Sequence, residues 1–409
     1  MIPTESLPPL AAGSRLGLLR GTRVLDLTTS IAGPYATMLL GDFGAEVIKV
    51  ERPNIGDDSR HWGPPSYAGH ALWFLSVNRN KKSLTLDFSV EAGRRILHDL
   101  IRHCDVIVTN QLPRVQRKLG IDIETVRALR PDIVYVSISG FGMAGARSEW
   151  PCYDLIAEGY SGVMDLTGEP DSGPQKVGTP AADLLAGGDA AMGCLAALVD
   201  RARTGAGHVV EISLVESMTR FMTPRVVSYL GGGELPRRSG ARDSVIAIYQ
   251  VFMTEDDPIT LGLPNENIWR RFCAAVERND WLEEDKYKGN AARVSVRAEL
   301  AGEIQKILLR KGRTHWLDLF SATQIPAGPI NRVDQVVEDP ELLARGLFYS
   351  MAVEDQRIPQ VGLGMRFDDQ VAGYDRVPPS LGQDTDAILT QLLGCEQDEI
   401  TRLRAEGVL

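Results

Sequence analysis

One acidic residue, Asp183, stands at the start of a predicted helix and is flanked by small or apolar residues in the sequence Ala-Ala-Asp-Leu-Leu-Ala-Gly. A Gly-Thr-Pro turn at residues 178–180 precedes this helix. A carboxylate there can cap the free N–H groups of the first turn, which is the simplest interpretation of the stretch alone. It can also act as a nucleophile, because a carboxyl group with a pKa of about 4 is ionised at neutral pH and needs no general base. We expect the helix N-terminus to help keep it ionised.

Other nucleophiles have little support in the sequence. The chain has no G-x-S-x-G motif, and its cysteines have no convincing His partner. The five cysteines and six histidines also lack the spacing of metal ligands, so we expect no metal site. An odd number of scattered cysteines suggests reduced thiols and a cytoplasmic protein. The competing carboxylates are Asp154 and Asp189, although Asp189 lies inside the helix, where a solvated or paired side chain is expected.

The elements that must position these residues begin with a βαβ unit. The apolar runs Arg23–Thr28 and Ala45–Glu51 are typical of buried strands, and Pro34–Asp42 between them is typical of a helix. The turn Thr29–Gly33 is small but is not G-x-G-x-x-G, which weakens a dinucleotide-binding interpretation.

Further apolar, β-branched runs alternate with a helix at Val90–Arg102 and predict more strands at Ser83–Phe88, Asp105–Thr109 and Asp132–Ser139. This pattern indicates an α/β fold with a Rossmann-like parallel sheet covered on both faces. In such sheets, ligands bind at the carboxyl ends of the strands. The residues predicted at that edge are Thr29–Gly33, Arg52, Asn110, Gln111 and Gly140–Gly142.

Basic residues near this edge suit a phosphorylated ligand. Arg52 directly follows the second strand, and Arg79, Lys81 and Lys82 are clustered in Asn-Arg-Asn-Lys-Lys. Taken alone, this cluster is more simply a solvated basic turn. Arg52 is placed to bind a ribose phosphate, which both NADP and coenzyme A carry, and Glu51 to bind ribose hydroxyls. The missing G-x-G-x-x-G motif favours coenzyme A.

The length and charge of the chain bound its organisation. With 409 residues it is expected to form two domains. We predict an N-terminal extension at 1–20, a large CoA-binding domain at 21–229, a linker at 230–242, a small α+β domain at 243–335, and a return to the large domain with C-terminal helices at 336–409. The net charge of −10 argues against nucleic acid or an anionic membrane as partner. We find no signal peptide and no apolar run long enough to cross a bilayer.

Several long blocks, in order, resemble the class III coenzyme A transferase family, which includes formyl-CoA, carnitine and bile-acid CoA-transferases. They include VLDLTTSIAGPYATMLLGDFGAEVIKVERP, NRNKKSLTLD, SISGFG, the stretch from YDLIAEGY to TPAADLLAG, RTGAGHVVEISLVES, IPAGPINRVDQVVEDPEL and LGQDTDAIL. The resemblance covers nearly the whole chain after the first twenty residues. It implies an interlocked homodimer, each subunit with a large Rossmann-like domain and a small domain.

The resemblance also implies a reaction and its residues. An aspartate, Asp183 here, attacks an acyl-CoA thioester and carries CoA as an aspartyl-CoA thioester to a free carboxylic acid. The donor and acceptor are substrates, with succinyl-CoA one candidate donor, and no cofactor is permanently bound. The family's CoA contacts fall on Ile31, Ala32, Arg52, Leu86, Asn110, Gln111 and Lys118, the last where an Arg is commoner.

Three alternatives remain open at this point. A 2-methylacyl-CoA racemase of the same fold would use a His in a Gly-His-Asp context, whereas this chain has Cys152-Tyr153-Asp154. A non-catalytic CoA-binding protein would bind without covalent chemistry, and an NADP oxidoreductase would transfer a hydride. Arg238, Arg242 and Trp73 are further candidates for contact with an acid substrate, although each is more simply a surface or packing residue.

Overall fold

The structure is a computed structural model that describes residues 6–67, 69–353, 356–368, 370–371 and 373–409. These residues fall into two compact units. Unit 1 contains the described residues up to Val163 together with Val177–Thr223 and Val337–Leu409. Unit 2 contains Met164–Lys176 and Pro224–Val336.

The strands are bounded as follows: β1 Pro9–Leu10, β2 Arg23–Leu27, β3 Glu46–Glu51, β4 Ser66–Tyr67, β5 His70–Ala71, β6 Lys81–Thr85, β7 Val106–Thr109, β8 Val134–Ser139, β9 Val209–Ser213, β10 Tyr249–Phe252, β11 Ile259–Gly262, β12 Ala327–Pro329, β13 Phe348–Val353, β14 Gln356–Val361, β15 Arg366–Phe367 and β16 Gln370–Val371.

The α-helices are bounded as follows: α1 Ala32–Asp42, α2 Leu72–Ser76, α3 Glu91–Arg102, α4 Pro113–Leu119, α5 Ile123–Leu129, α6 Asp154–Ser161, α7 Val163–Leu166, α8 Ala181–Thr204, α9 Leu214–Phe221, α10 Thr223–Gly232, α11 Glu266–Ala275, α12 Gly289–Ser295, α13 Arg297–Leu308, α14 Arg313–Ala322, α15 Val333–Val337, α16 Pro340–Ala344, α17 Thr385–Leu393 and α18 Gln397–Ala405.

Unit 1 is built on a parallel sheet with strand order β6-β3-β2-β7-β8-β9. Alternate residues of each strand face opposite sides of the sheet. On one side, Leu25, Ile107 and Tyr135 pack with residues of α3, α17 and α18. On the other side, α1 and α8 pack against each other and against the strands. The predicted α/β fold with a parallel sheet is confirmed.

Helix α8 approaches α1 closely because of one glycine. A Cβ atom on Gly187 would lie 2.5 Å from the carbonyl oxygen of Ala32, so only glycine allows this contact between backbones. By length and composition alone α8 could cross a bilayer, contrary to the expectation that no apolar run is long enough. Core helices share this composition, and Ala182, Ala186 and Cys194 of α8 are buried.

Unit 2 combines an antiparallel sheet, in the order β10-β11-β12, with helices α11 to α14. Its core is aromatic. Trp269 stacks on Trp281 with ring centroids 5.8 Å apart, and Phe272 and Phe320 are fully buried beside them.

The predicted domain boundaries differ from this division in two places. The chain forms two helices, α9 and α10, ahead of the predicted linker at 230–242, and it leaves unit 1 after Thr223 rather than in that linker. Pro224 explains the break, since it cannot donate a backbone N–H to the preceding helix. Residues 164–176 were predicted in the large domain but belong to unit 2, where the N–H of Gly240 donates to the carbonyl of Gly168 over 3.0 Å.

The predicted loose extension at residues 1–20 is wrong for its described part. Strand β1 pairs in parallel with β13, and Leu7 and Leu16 are buried. These apolar residues gain a packing partner from the C-terminal part of the chain, which local sequence does not show. Residues 1–5 lie outside the described residues.

Candidate active site

A cavity of about 560 Å³ lies along the carboxyl ends of strands β2, β3, β6 and β7. Of the predicted CoA-binding residues, Arg52, Leu86 and Gln111 line it, together with Thr29 from the first βα turn. Parallel strands present their carboxyl ends at the same edge, which is why residues so far apart in sequence meet there. We refer to it below as the sheet-edge cavity.

Arg52 is the cation available to a ligand in the sheet-edge cavity. Its side chain is exposed, and it forms no ion pair with any residue that the structure describes. A free guanidinium in a protein with a net charge of −10 is a natural partner for phosphate, to which it donates in a bidentate manner.

The other predicted phosphate-binding cations do not serve this cavity. Arg79 and Lys81 are buried, and their charges are neutralised by carboxylates from other elements. For Arg79 and Lys81 both interpretations, a phosphate-binding cluster and a solvated basic turn, are therefore wrong, because spacing along the chain does not show partners in space. The pairs are Arg79 with Asp42 at 2.6 Å, Lys81 with Asp26 at 3.0 Å and Lys82 with Glu46 at 2.6 Å.

Glu51, considered above for ribose hydroxyls, is likewise committed to protein partners. Its carboxylate accepts hydrogen bonds of 2.7 Å from Arg60 and Ser83. Burial opposes its ionisation, but the hydrogen bonds from Arg60 and the charge of Lys49 bring its pKa below the usual value. The side chain is buried and has little capacity left for a sugar.

Asn110 and Lys118, two further predicted CoA contacts, do not line the sheet-edge cavity. The Asn110 amide binds the first βα turn: its Nδ2 donates to the Thr29 carbonyl at 2.8 Å, and its Oδ1 accepts from the Thr29 N–H at 3.2 Å. Lys118 is exposed on α4, whose Val115 and Leu119 line the sheet-edge cavity, but Lys118 itself does not.

Asp183 lies in the first turn of α8, as predicted, but it does not cap the helix. The N–H groups of Ala182 and Asp183 donate to Oδ1 of Asp154, at 2.8 Å and 3.3 Å. Those of Ala181 and Leu184 donate to backbone carbonyls. The free donors of the helix end are thus occupied, and the Asp183 carboxylate accepts no hydrogen bond from any described residue.

These surroundings make Asp183 unusually basic. Burial, followed by the nearby negative charge of Asp154, raises the pKa of Asp183 from 3.8 to about 7. The expectation that the helix N-terminus keeps it ionised is wrong for this reason: Asp154 takes the N–H groups and adds a like charge. Perturbed carboxyl groups of this kind are concentrated at catalytic sites.

A second cavity, of about 500 Å³, adjoins Asp183 through the residues that flank it, Pro180 and Leu184. Its walls are mainly apolar and include Ile31 and Trp73. We call it the apolar cavity. The first βα turn thus contributes Thr29 to the sheet-edge cavity and Ile31 to the apolar cavity, while Ala32 begins α1.

Competing nucleophiles near Asp183 are disfavoured. Burial, together with the charge of Asp183, raises the pKa of the Cys152 thiol to about 11, so the thiolate is scarce at neutral pH. Asp189 forms an ion pair with Arg220. Among the residues that the structure describes, no group of three His, Cys, Asp or Glu side chains could hold a metal ion.

Of the remaining candidates for acid binding, Trp73 lines the apolar cavity in unit 1. Arg238 donates to Asp165 at 3.0 Å, so its charge is already paired. Arg242 lines a groove within unit 2, beside Tyr249 and Thr260. Both arginines belong to unit 2, whereas Asp183 belongs to unit 1.

Asp154 caps α8, a role that its position in the sequence does not show, since there it is only a rival nucleophile. Its side chain reaches the start of a helix that begins 27 residues later in the chain. One signal was available, since Pro180 precedes the helix and cannot cap it with a side chain. Where a helix has no local cap, its free N–H groups need an acceptor from another part of the chain.

Comparison with known proteins places this site in a class. CoA-transferase family III matches residues 19–385, and the chain belongs to that family. It is 37% identical over 394 residues to succinyl-CoA:glutarate CoA-transferase of Mus musculus, covering 96% of this chain and 90% of the relative. It is 34% identical over 381 residues to succinate–glutarate CoA-transferase of Agrobacterium fabrum, covering 91% and 95% of the two chains.

The fold has a solved counterpart at comparable identity. A CAIB/BAIF family protein from Brucella suis superposes with a TM-score of 0.80 at 34% identity, covering 91% of this chain and 99% of the other. The protein is thus an enzyme of the CoA-transferase class, with a mixed α/β fold built on a parallel sheet.

Proposed function

We propose that this enzyme transfers coenzyme A from an acyl-CoA thioester to a free carboxylic acid through covalent intermediates on Asp183. The observation that carries the proposal is a half-buried carboxylate without a hydrogen-bond donor or counter-charge among the described residues, next to an apolar cavity. A structural carboxylate would normally have partners. This one is basic and free to react.

The steps balance without any further reactant. A carboxylate oxygen of Asp183 attacks the thioester carbonyl, the C–S bond breaks, and CoA leaves as thiolate with a mixed anhydride on Asp183. The thiolate then attacks the aspartyl carbonyl of the anhydride and expels the donor acid as carboxylate, leaving an aspartyl-CoA thioester. The acceptor carboxylate repeats these steps in reverse order and departs as the new thioester.

The surroundings of Asp183 favour the first attack. The ionised side chain is poorly solvated and is repelled by Asp154, as its raised pKa records. Acylation converts the Asp183 carboxylate into a neutral anhydride, so the adduct no longer carries the free-energy cost of burying a charge. A carboxylate paired with an arginine would already be stabilised as an anion, so acylation would not relieve such a cost.

We assign the nucleotide part of CoA to the sheet-edge cavity, with Arg52 donating to a phosphate. Leu86 and Gln111 share that cavity, which supports their predicted roles. Ile31 and Ala32 follow the same turn toward the apolar cavity, where the acyl end would lie. Asn110 acts by fixing the turn, and exposed Lys118 would contact CoA only at the rim.

The relatives suggest the substrates. Two of them are named for transfer between succinyl-CoA or succinate and glutarate. We propose succinyl-CoA as donor and a short dicarboxylic acid as acceptor. The racemase alternative finds no support at the site, since Asp154 is occupied by helix N–H groups and Tyr153 stands where a histidine would be needed.

We further propose that the enzyme is a homodimer, interlocked as the family resemblance implies. Helices α6, α8 and α9 pack on one another and carry exposed apolar side chains that a second copy would cover. They are Leu155, Ile156, Tyr160, Met192, Val199 and Phe221. The described free cysteines accord with a reducing, cytoplasmic location.

The test is direct chemical mapping of the adduct. The protein is incubated with succinyl-CoA, trapped with hydroxylamine or borohydride, and the modified peptide is identified by mass spectrometry. We expect modification at Asp183 and its loss in Asp183→Ala. The matched control is Asp189→Ala, which removes another carboxylate of α8 and should leave the adduct in place.

The substrate assignment and the class of reaction are tested separately. A panel of acyl-CoA donors against labelled acids should show exchange, with succinyl-CoA and dicarboxylates among the pairs. An adduct on a residue other than Asp183, or no adduct with any donor, would refute the covalent mechanism. Exchange of the α-proton of a 2-methylacyl-CoA in deuterated water without an acid acceptor would instead indicate a racemase.

A further inference from the structure

The first βα turn contains a residue in an unfavourable backbone conformation. Ser30 has φ = 71°, in the left-handed region that residues other than glycine seldom adopt. Such a conformation persists only when the surroundings hold it. Thr29 and Ile31 on either side line the sheet-edge cavity and the apolar cavity, so the conformation of this turn determines how the two cavities are aligned.

Three side chains from other elements hold the turn through its backbone. Nζ of Lys49 donates to the carbonyl of Thr28 at 2.8 Å, and Asn110 exchanges two hydrogen bonds with Thr29. The N–H of Ser30 donates to Oδ1 of Asp57 at 3.0 Å. Consecutive residues are therefore each fixed by a separate partner.

Two of these partners form a buried ion pair. Nζ of Lys49 lies 2.7 Å from Oδ2 of Asp57, and both side chains are 0% exposed. Asp57 lies along the sheet-edge cavity, but its side chain is fully buried and is occupied by Lys49, the Ser30 N–H and Ser59. Asp57 also belongs to the loop after β3, whose start is Arg52, and its own N–H donates to buried Glu51 at 3.0 Å.

The Lys49–Asp57 pair therefore links the first βα turn to the loop that follows β3. Lys49 and the Oδ1 of Asp57 hold the βα turn, while the backbone of Asp57 ends the loop that begins with Arg52. Neighbouring charges do not offer Lys49 an equal alternative, because Asp26 is already paired with Lys81 and Glu51 with Arg60.

We infer that Lys49 and Asp57 are positioning residues for CoA, which keep the first βα turn and the Arg52 loop in the relative placement that the two ends of the substrate require. They act through the turn and the loop rather than by contact. This rests on the proposed placement of CoA in the sheet-edge cavity. A shift of about 1 Å in such a framework is enough to cost roughly a hundredfold in rate.

The experiment measures the dissociation constant of CoA by isothermal titration calorimetry, for the wild-type protein and for Asp57→Asn. We expect binding to weaken by about tenfold or more, with a matching rise in KM for the acyl-CoA and a smaller change in KM for the acid. Equal CoA affinity in Asp57→Asn and wild type would overturn the inference while leaving the proposed function intact. A wild-type protein that does not bind CoA would overturn both.

The matched control is Asp105→Asn, which removes the ion pairs of Asp105 with Arg130 and Arg201 before the amino end of β7, at the opposite edge of the sheet from the cavity. It should lower stability without weakening CoA binding. If Asp105→Asn weakens CoA binding as much as Asp57→Asn, the effect is a general consequence of destabilisation and the inference fails.

A double variant, Lys49→Met with Asp57→Asn, keeps the test decisive where a single variant folds poorly, because it leaves no unpaired buried charge. Its CoA affinity should also fall by about tenfold or more relative to wild type. Wild-type CoA affinity in the folded double variant would overturn the inference.

Discussion

Replacement of Asp183 by asparagine should stabilise the protein, and it should do so only when the pH is high enough to ionise the carboxyl group. In the unfolded chain the group has its ordinary pKa of 3.8, and in the folded protein burial and Asp154 raise the pKa to about 7. The folded state therefore binds the proton more tightly than the unfolded state. Asparagine has nearly the same shape and carries no charge.

The sign and size of the effect on the free energy of unfolding follow from the difference in pKa between the folded and unfolded states. Below pH 3.8 both states are protonated and the group costs nothing. Between about pH 4 and 7 the free energy of unfolding falls by up to about 1.4 kcal/mol per pH unit, and above 7 the full cost is present. A difference of about three units gives about 4 kcal/mol, which partial exposure of the side chain reduces to roughly 2–4 kcal/mol.

The assay is thermal or urea unfolding of wild type and Asp183→Asn at pH 5 and pH 8, in the absence of CoA thioesters. The variant should gain several degrees in Tm at pH 8 and less than half as much at pH 5, where the folded carboxyl group is still mostly protonated. Asp189→Asn is the control, since it removes an ion pair with Arg220 from the same helix and should not stabilise the protein at either pH.

One outcome would refute the reasoning. If Asp183→Asn is no more stable than wild type at pH 8, or if its advantage does not grow between pH 5 and pH 8, the carboxylate is not held at an energetic cost. The loss of transfer activity in the same variant would then have to be explained without a poorly solvated nucleophile.

The remaining predictions concern the reaction itself. The rate of Asp183 acylation should rise with pH through about 7 and level off above it, because only the carboxylate attacks; a flat profile from pH 5 to 9 would contradict this. Asp154→Asn should move the midpoint to lower pH but leave it above 3.8, since the larger effect of burial remains. Arg52→Ala should weaken CoA by about 1–3 kcal/mol but 3′-dephospho-CoA much less, and equal losses in calorimetric titrations would place Arg52 away from the 3′-phosphate.

The parallel sheet was accessible to sequence reasoning because its signals are local. A fully buried strand requires a continuous apolar run, and Arg23–Leu27, Glu46–Glu51 and Val134–Ser139 were predicted to within two residues at each end. The residues at the carboxyl ends of such strands then follow from topology. This is why the strand pattern alone was enough to place Arg52 and Gln111 at one edge of the sheet, whereas Leu86 was predicted only from the family resemblance.

The failures concern interactions between distant parts of the chain. Arg79 and Lys81 are residue types that bind phosphate, and they lie close together in the sequence. Nothing in the neighbouring sequence shows that each of them instead forms a buried ion pair. The left-handed conformation of Ser30 and its hydrogen bond to Asp57 could not be predicted either. The turn is held by side chains more than twenty residues away along the chain.

The same limit applied to the nucleophile, and here it concerns the chemistry. From the sequence, Asp183 at a helix start should be stabilised as an anion by the free N–H groups. In the structure those N–H groups donate to Asp154, so the helix end stabilises the Asp154 carboxylate. Asp183 is left close to the negative charge of Asp154. A helix start with two carboxylates thus yields one that is satisfied and one that is basic. Since nucleophilicity requires an anion that is poorly stabilised, the capping residue determines which of the two can react.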